Sequence, residues 1–253
     1  MKGRRARLPP TAIEFFSGSG HLSRALRRRG WFVIEIDIVH DFDILKRGRL
    51  SWLRGVLMGG LIDAVHFGTP CSSFSRARDR PNGPPPLRSD SMVLGLPDLK
   101  PHDAIKVRLG NALASATMSL ADVARLQGIP GTIENPHTSC IWLLPSWQRF
   151  QQRRCVRTTV LDFCAFEAPW RKRTRLISWH IDLSLIDRRC LSSRGCCSFT
   201  GAPHMKLEGV DPVTKQFWTK IAEPYPSSLC SLWATCFCNA RAARAINQLT
   251  SVC

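Results

Sequence analysis

Apolar residues recur along the chain in short runs divided by polar or glycine-containing turns. The run AIEFF, Ala12 to Phe16, has the length of a buried strand. It leads through SGSG into HLSRALRRRG, whose apolar positions repeat at helical spacing and stop at Gly30. WFVIEID, Trp31 to Asp37, reads as a second strand ending in acids, LSWLRGVLMGG as a helix and LIDAVHFG as a third strand. Strands alternating with helices predict an α/β fold, a doubly wound and mostly parallel sheet of Rossmann-like type covered on both faces.

Farther along, NALASATMSLADVARLQG predicts a helix capped by Asn111 and ended by Gly128, and GTIENP a short strand tipped by Glu134. Residues 142–154 read as helical, TTVLDFCAF as a strand, EAPWRKRTR as a basic turn and LISWHI as a further strand. From Ser75 to Pro101 the composition changes, and RPNGPPPLRSD is too proline-rich for a helix or an inner strand. A loop this long inside a compact domain is functional or disordered. Past Asp182 the pattern thins into RRCLSSRGCCSFTGAPH before the helix-like SSLCSLWATCFCNARAARAINQL. The expected organisation is a basic arm, residues 1–10, an α/β domain carrying the chemistry, residues 11–182, and a Cys-rich C-terminal segment with a terminal helix, residues 183–253.

Charge changes this picture most. The chain has 36 Lys and Arg against 19 Asp and Glu, a formal charge of +17. Such a field favours a polyanionic partner; a solvated basic surface or anionic lipid would also answer to it. Arginine clusters flank the candidate chemistry instead of lying along one amphipathic helix, which puts nucleic acid first. The start MKGRRARLPP lacks the apolar core of a signal peptide, so the 11 cysteines are expected to be reduced thiols. No apolar stretch is long enough to span a bilayer, and the charge would suit a nucleus or nucleoid.

Three constellations carry chemistry. In EFFSGSGHL, Gly18 and Gly20 lie between strand and helix, where a cofactor can approach backbone N–H groups without meeting a Cβ. Asp37, with Glu35 second, stands where a carboxylate accepts from ribose hydroxyls, and Asp43 could accept from an adenine amino group. The third glycine of the dinucleotide fingerprint is missing and there is no P-loop lysine, so a neutral or cationic nucleoside fits better than a triphosphate. In FGTPCSSFSRARDRP, Cys71 follows Pro70 at a strand end, with Ser75, Arg76, Arg78 and Arg80 behind it. It is either a buried thiol or a nucleophile whose pKa nearby cations lower. Glu134 in IENP is either a solvated loop acid or a reactive one.

In order and type, FFSGSG, then an acid, then GTPCSSFS, then IENP resembles the cytosine-C5 methyltransferases, whose F-x-G-x-G, G-x-P-C-x-x-F-S and E-N-V motifs recur in that sequence. FEAPWRKRTRL is similar to that family's arginine-bearing turn, with Trp170 in place of glutamine. The resemblance covers about Ala12 to Ile177 and implies S-adenosylmethionine held by Phe16, Ser17, Gly18, Gly20, Asp37, Asp43 and Pro70. It further implies that Cys71 adds to ring carbon 6 of cytosine and Glu134 holds or protonates ring nitrogen 3. Asn135 would brace Glu134, and Arg171 or Arg173 would donate to the exocyclic oxygen. The base must leave its stack, and the loop bearing Ser75, Arg76, Arg78 and Arg80 would close around it and neutralise phosphates.

The chain departs from the family's pattern in three places. The interval from Asp37 to Asp43 is short by one helix, Pro136 stands where the family has valine, and few residues remain for target recognition. The polymer would be DNA ahead of RNA, with a catalytically inactive nucleic-acid-binding relic as the reading from another class. A cysteine hydrolase would need His66 or His137 as partner. Cys190, Cys196, Cys197 and His204, with Cys164 upstream, form an inventory able to bind zinc in a reduced compartment, although their spacing matches no standard finger.

Overall fold

A computed structural model describes residues 8–79, 84–192 and 195–250. Arg80 and most of the basic arm lie outside the described residues.

Six strands form one sheet: β1 (Thr11–Phe15), β2 (Phe32–Ile36), β3 (Ala64–Phe67), β4 (Gly131–Pro136), β5 (Val156–Asp162) and β6 (Arg173–Trp179). Their spatial order is β2-β1-β3-β4-β6-β5. The pairs from β2 to β4 are parallel, and β6 alone runs against both of its neighbours. This is the mostly parallel sheet expected. The reversal of β6 brings the residues just before it to the rim where β1, β3 and β4 end.

Because strand side chains alternate, the buried runs feed two cores, one on each face. On one face Ile13, Phe15, Val65, Phe67, Ile133, Ile177 and Trp179 pack against α2 (Arg49–Met58), α3 (Pro101–Leu126) and α4 (Pro145–Gln151). On the other, Ala12, Val33, Ala64 and Leu176 pack beneath α1 (His21–Arg27) and α6 (Ser227–Thr250), through Leu22, Leu26, Leu229, Trp233 and Phe237. The one-turn α5 (Trp218–Ile221) precedes α6. Gly131 leaves room for a neighbour: a Cβ there would lie 2.1 Å from the Trp179 indole, directly opposite it on β6. Among the described residues no helix is long and apolar enough to cross a membrane.

Two local expectations change. The long helix begins at Pro101, not at Asn111, because Pro at its first position and Asp103 in its first turn suit a helix start. Asn111 is then interior, and its side chain accepts from Arg88 at 2.7 Å and donates to the Leu94 carbonyl at 2.8 Å. The stretch 142–154 divides into a 3-10 turn, Cys140–Leu143, and the short α4.

The base of the proline-rich loop is built on one arginine. Arg88 is 4% exposed and donates to the Ser73 and Val107 carbonyls, the Ser73 hydroxyl, the Val93 carbonyl and Asn111. Its guanidinium lies 3.7 Å from the Phe74 ring centroid. Burial lowers its pKa to about 10, which leaves it a cation at neutral pH. Planar, multiply donating guanidinium suits this duty in a way that a lysine would not.

Candidate functional site

The chain switches direction across the sheet between β1 and β3, the place where open α/β sheets hold ligands beyond the carboxyl ends of their strands. A cleft of about 730 Å³ opens there, within the usual range for small-molecule sites. Its walls come from the turn after β1, the tip of β2, the loop after β3, the end of β4, the turn before β6 and the chain around Tyr225.

The turn after β1 is left-handed at Phe16, Gly18 and Gly20 (φ 57°, 50° and 64°). Gly20 has a second need, since a Cβ would lie 2.5 Å from Glu35 Oε1. Open space lies beside Gly18, which faces the cleft. Asp37 stabilises this turn: Oδ2 accepts from the Gly18 N–H and Oδ1 from the Val39 N–H, at 2.9 and 3.0 Å. Glu35 instead pairs with Arg27 at 2.6 Å. Asp43 accepts from the Leu45 N–H at 2.9 Å and does not line the cleft.

Cys71 and Glu134 line the cleft together with Phe16, Ser17, Gly18, Asp37 and Pro70. Cys71 is half-buried, and burial, helped by the negative charge of Glu134, pushes its thiol up to about 11; Lys172 pulls the other way. Glu134 is 7% exposed. Burial raises its carboxyl pKa, against Lys172 and the Tyr225 and Thr174 hydroxyls. Its Oε1 has no partner in good hydrogen-bond geometry, and the same holds for Ser17 Oγ. Unpartnered buried polar atoms are costly, so their convergence on one cleft points to a ligand that supplies donors and acceptors. Asn135 donates to the Thr69 carbonyl at 2.7 Å and so fixes the end of β4 to the loop carrying Cys71.

A buried polar row runs across the sheet to Glu134. The Tyr225 hydroxyl donates to Glu134 Oε2 at 3.1 Å and lies 3.1 Å from His66 Nε2, while His66 Nδ1 lies 2.9 Å from Thr132 Oγ1. Burial drops the His66 pKa to about 3, so the ring is neutral. With Tyr225 donating to Glu134, the row is satisfied when Nε2–H donates to Tyr225 and Thr132 donates to Nδ1. His66 is thus occupied away from Cys71, and among the described residues no histidine lines the cleft. A cysteine–histidine hydrolase has no base here.

The arginines expected at the site stand elsewhere. Arg173 makes a bidentate pair with Asp162 at 3.0 and 2.9 Å, and Arg171 lies 3.5 Å from Asp162 and donates to the Cys190 carbonyl. Between them Lys172 points into the cleft, holding the Ala222 carbonyl at 3.1 Å. Alternation explains the exchange, because consecutive residues of extended chain face opposite ways. Arg76 pairs with Asp79 and Asp90, and Arg78 donates to the Pro85 carbonyl and lies 3.7 Å from Asp103. Ser75, Arg76 and Arg78 do not line the cleft, and the cation acting on Cys71 is Lys172.

Lys172 and Tyr225 carried no signal of their own in the sequence. Tyr225 is the chain's sole tyrosine and sits between two prolines, in a stretch whose backbone is stiff enough to aim a side chain.

No protein-family model matches the chain, and no curated protein matches it. Among solved structures it is similar to a DNMT2 mutant from Spodoptera frugiperda, at 17% identity and a TM-score of 0.39, over 80% of this chain. The chain spans 61% of that protein's length. It is also similar to the Entamoeba histolytica methyltransferase EhMeth, at 12% identity and a TM-score of 0.38, over 94% of this chain and 97% of the other. Scores this low carry no functional argument, and function rests on the site.

Proposed function

We propose that the protein is an S-adenosylmethionine-dependent methyltransferase that acts on carbon 5 of cytosine in a nucleic acid, DNA ahead of RNA. The observation that carries the reading is the buried, unpartnered Glu134 Oε1 facing the same cleft as Cys71. A carboxyl with a raised pKa is suited to hold or protonate a ring nitrogen. Cys71, at the edge of the same cleft, would add through sulfur to ring carbon 6, its proton leaving to solvent. Protonation at the ring nitrogen then takes up the electron pair displaced from the ring.

The glycine turn fits a nucleoside cofactor: the space beside Gly18, the unpartnered Ser17 hydroxyl and the remaining lone pairs of Asp37 face the cleft. S-adenosylmethionine would supply an electrophilic methyl group there. Lys172, in place of Arg171 or Arg173, would provide the cation that offsets negative charge on Cys71 and on the base. Tyr225 positions Glu134, and His66 in turn holds the Tyr225 hydroxyl.

The test incubates the protein with labelled S-adenosylmethionine and duplex DNA, single-stranded DNA or transfer RNA, comparing wild type with Cys71→Ser. Label in a polymer that depends on Cys71, and a covalent adduct between Cys71 and DNA containing 5-fluorocytosine, are expected. Cofactor binding without transfer to any polymer would instead favour the nucleic-acid-binding relic.

A further inference from the structure

Away from the cleft, three cysteines and a histidine converge: the ligand atoms of Cys164, Cys190, Cys197 and His204 all lie within 4.8 Å of one another. We propose that these four residues bind a zinc ion in tetrahedral geometry, and that the ion fastens the C-terminal segment to the end of β5.

The distances select the chemistry. Cys190 Sγ lies 3.8 Å from Cys197 Sγ and 3.6 Å from His204 Nε2. A tetrahedron with metal–sulfur bonds of about 2.3 Å and metal–nitrogen bonds of about 2.0–2.1 Å has S···S edges of about 3.8 Å and S···N edges of about 3.6 Å. A disulfide needs sulfurs about 2.05 Å apart, so Cys190 and Cys197 stand at ligand spacing instead. Three thiolates and a neutral imidazole are a zinc donor set, and the thiols release their protons on binding.

The surroundings are those of a built site. The Ser198 N–H donates to Cys190 Sγ and the Phe199 N–H to Cys197 Sγ, each at 3.4 Å. Such bonds orient thiolates and spread their charge. The hairpin closed by the bridge between Cys196 and Pro203 presents Cys197 and His204 on one side. Adjacent extended residues face opposite ways, so Cys196 cannot join Cys197; Cys164, just past β5, takes the fourth place. A cleft of about 470 Å³ lined by Cys164, Cys197 and His204 offers an access route.

The site is tied to the sheet as well. The Cys190 N–H donates to Asp162 Oδ2 at 2.9 Å, and that oxygen also accepts from Arg173. This explains why Arg171 and Arg173 are held away from the cleft. The ion would anchor the chain that continues to Gln216, Lys220 and Tyr225 on the cleft wall.

The test measures metal in the full chain purified under reducing conditions, by elemental mass spectrometry and by native mass spectrometry. One zinc equivalent per chain is expected, released by a mercurial thiol reagent. Cobalt exchanged into the wild type should give the intense visible bands of a tetrahedral thiolate site, a readout that needs no variant to fold. Cys197→Ser and Cys164→Ser should lose the metal, and Cys196→Ser should keep it. A reduced wild type that takes up neither zinc nor cobalt would overturn the proposal, as would metal loss in Cys196→Ser equal to that in Cys197→Ser.

Discussion

With its thiol near 11, Cys71 should be a slow nucleophile in the ligand-free protein, and the size of the effect can be worked out. At pH 7.5 an ordinary thiol of pKa about 8.5 is about 9% thiolate, whereas one at 11 is about 0.03% ionised, a roughly 300-fold deficit. A more basic thiolate is intrinsically the better nucleophile, and a Brønsted slope of about 0.4–0.5 over this difference returns about 10- to 20-fold. The net expectation is iodoacetamide alkylation about 20-fold slower than for an unstructured cysteine-containing peptide with a thiol of pKa about 8.5, followed on the Cys71 peptide by mass spectrometry. The rate should go on rising with pH past 10, where the reference thiol has levelled off. Glu134→Gln should speed the reaction by removing a negative neighbour, and Lys172→Met should slow it. If Cys71 reacts as fast as the reference with a plateau near pH 9, or both variants move the rate the same way, the electrostatic account of the cleft is wrong.

Other predictions concern stability. Tyr225→Phe removes the hydroxyl between His66 and Glu134 and leaves two buried groups unpartnered, so urea denaturation should register a loss of about 2 kcal/mol; an unchanged midpoint would sever the row. Gly110→Ala would put a Cβ 2.3 Å from Ser73 Oγ and 3.1 Å from Arg88, costing about 1–3 kcal/mol and loosening the loop base to proteolysis. Gly55→Ala, in α2 with open space around it, should stabilise by up to about 1 kcal/mol, and similar losses in both would discredit the packing argument. Burial raises the Glu14 pKa from 4.5 to about 7, against donation from the Ser23 N–H and hydroxyl. A carboxyl whose pKa is raised on folding stabilises fully below pH 4.5 and loses that contribution as pH rises to about 7, on the order of 3 kcal/mol. Glu14→Gln should therefore gain on wild type as pH rises from about 5 to 8; a constant difference in unfolding free energy would refute this.

What the sequence disclosed was local. The strand, glycine turn and helix from Thr11 to Arg27 follow from apolar spacing and glycine alone. Cys71 and Glu134 could be placed at strand ends because apolar runs precede them. What it hid depends on partners distant in the chain. Arg88 reads as one more solvated charge among prolines, and only the packed α3 shows why it is buried. Asn111 looks like a cap because capping and side-chain anchoring use the same donors and acceptors. His66 and Tyr225 meet 159 residues apart, a pairing that leaves no periodic trace, and the cysteine inventory could be read from the sequence but not the choice of Cys197 over Cys196.

The dependence of Glu134 on Tyr225 also has an order in time. A ribosome adds roughly 5–20 residues per second, and Tyr225 is made about 150 residues after Cys71, so the nascent chain spends on the order of ten seconds or more without it. In that interval β1, β3 and β4 can meet, but the cleft lacks its tyrosine wall and α6 does not yet cover the sheet. The newborn thiol is then less buried and more easily oxidised than the finished one, which makes the interval before Tyr225 and α6 dock the most vulnerable period for Cys71.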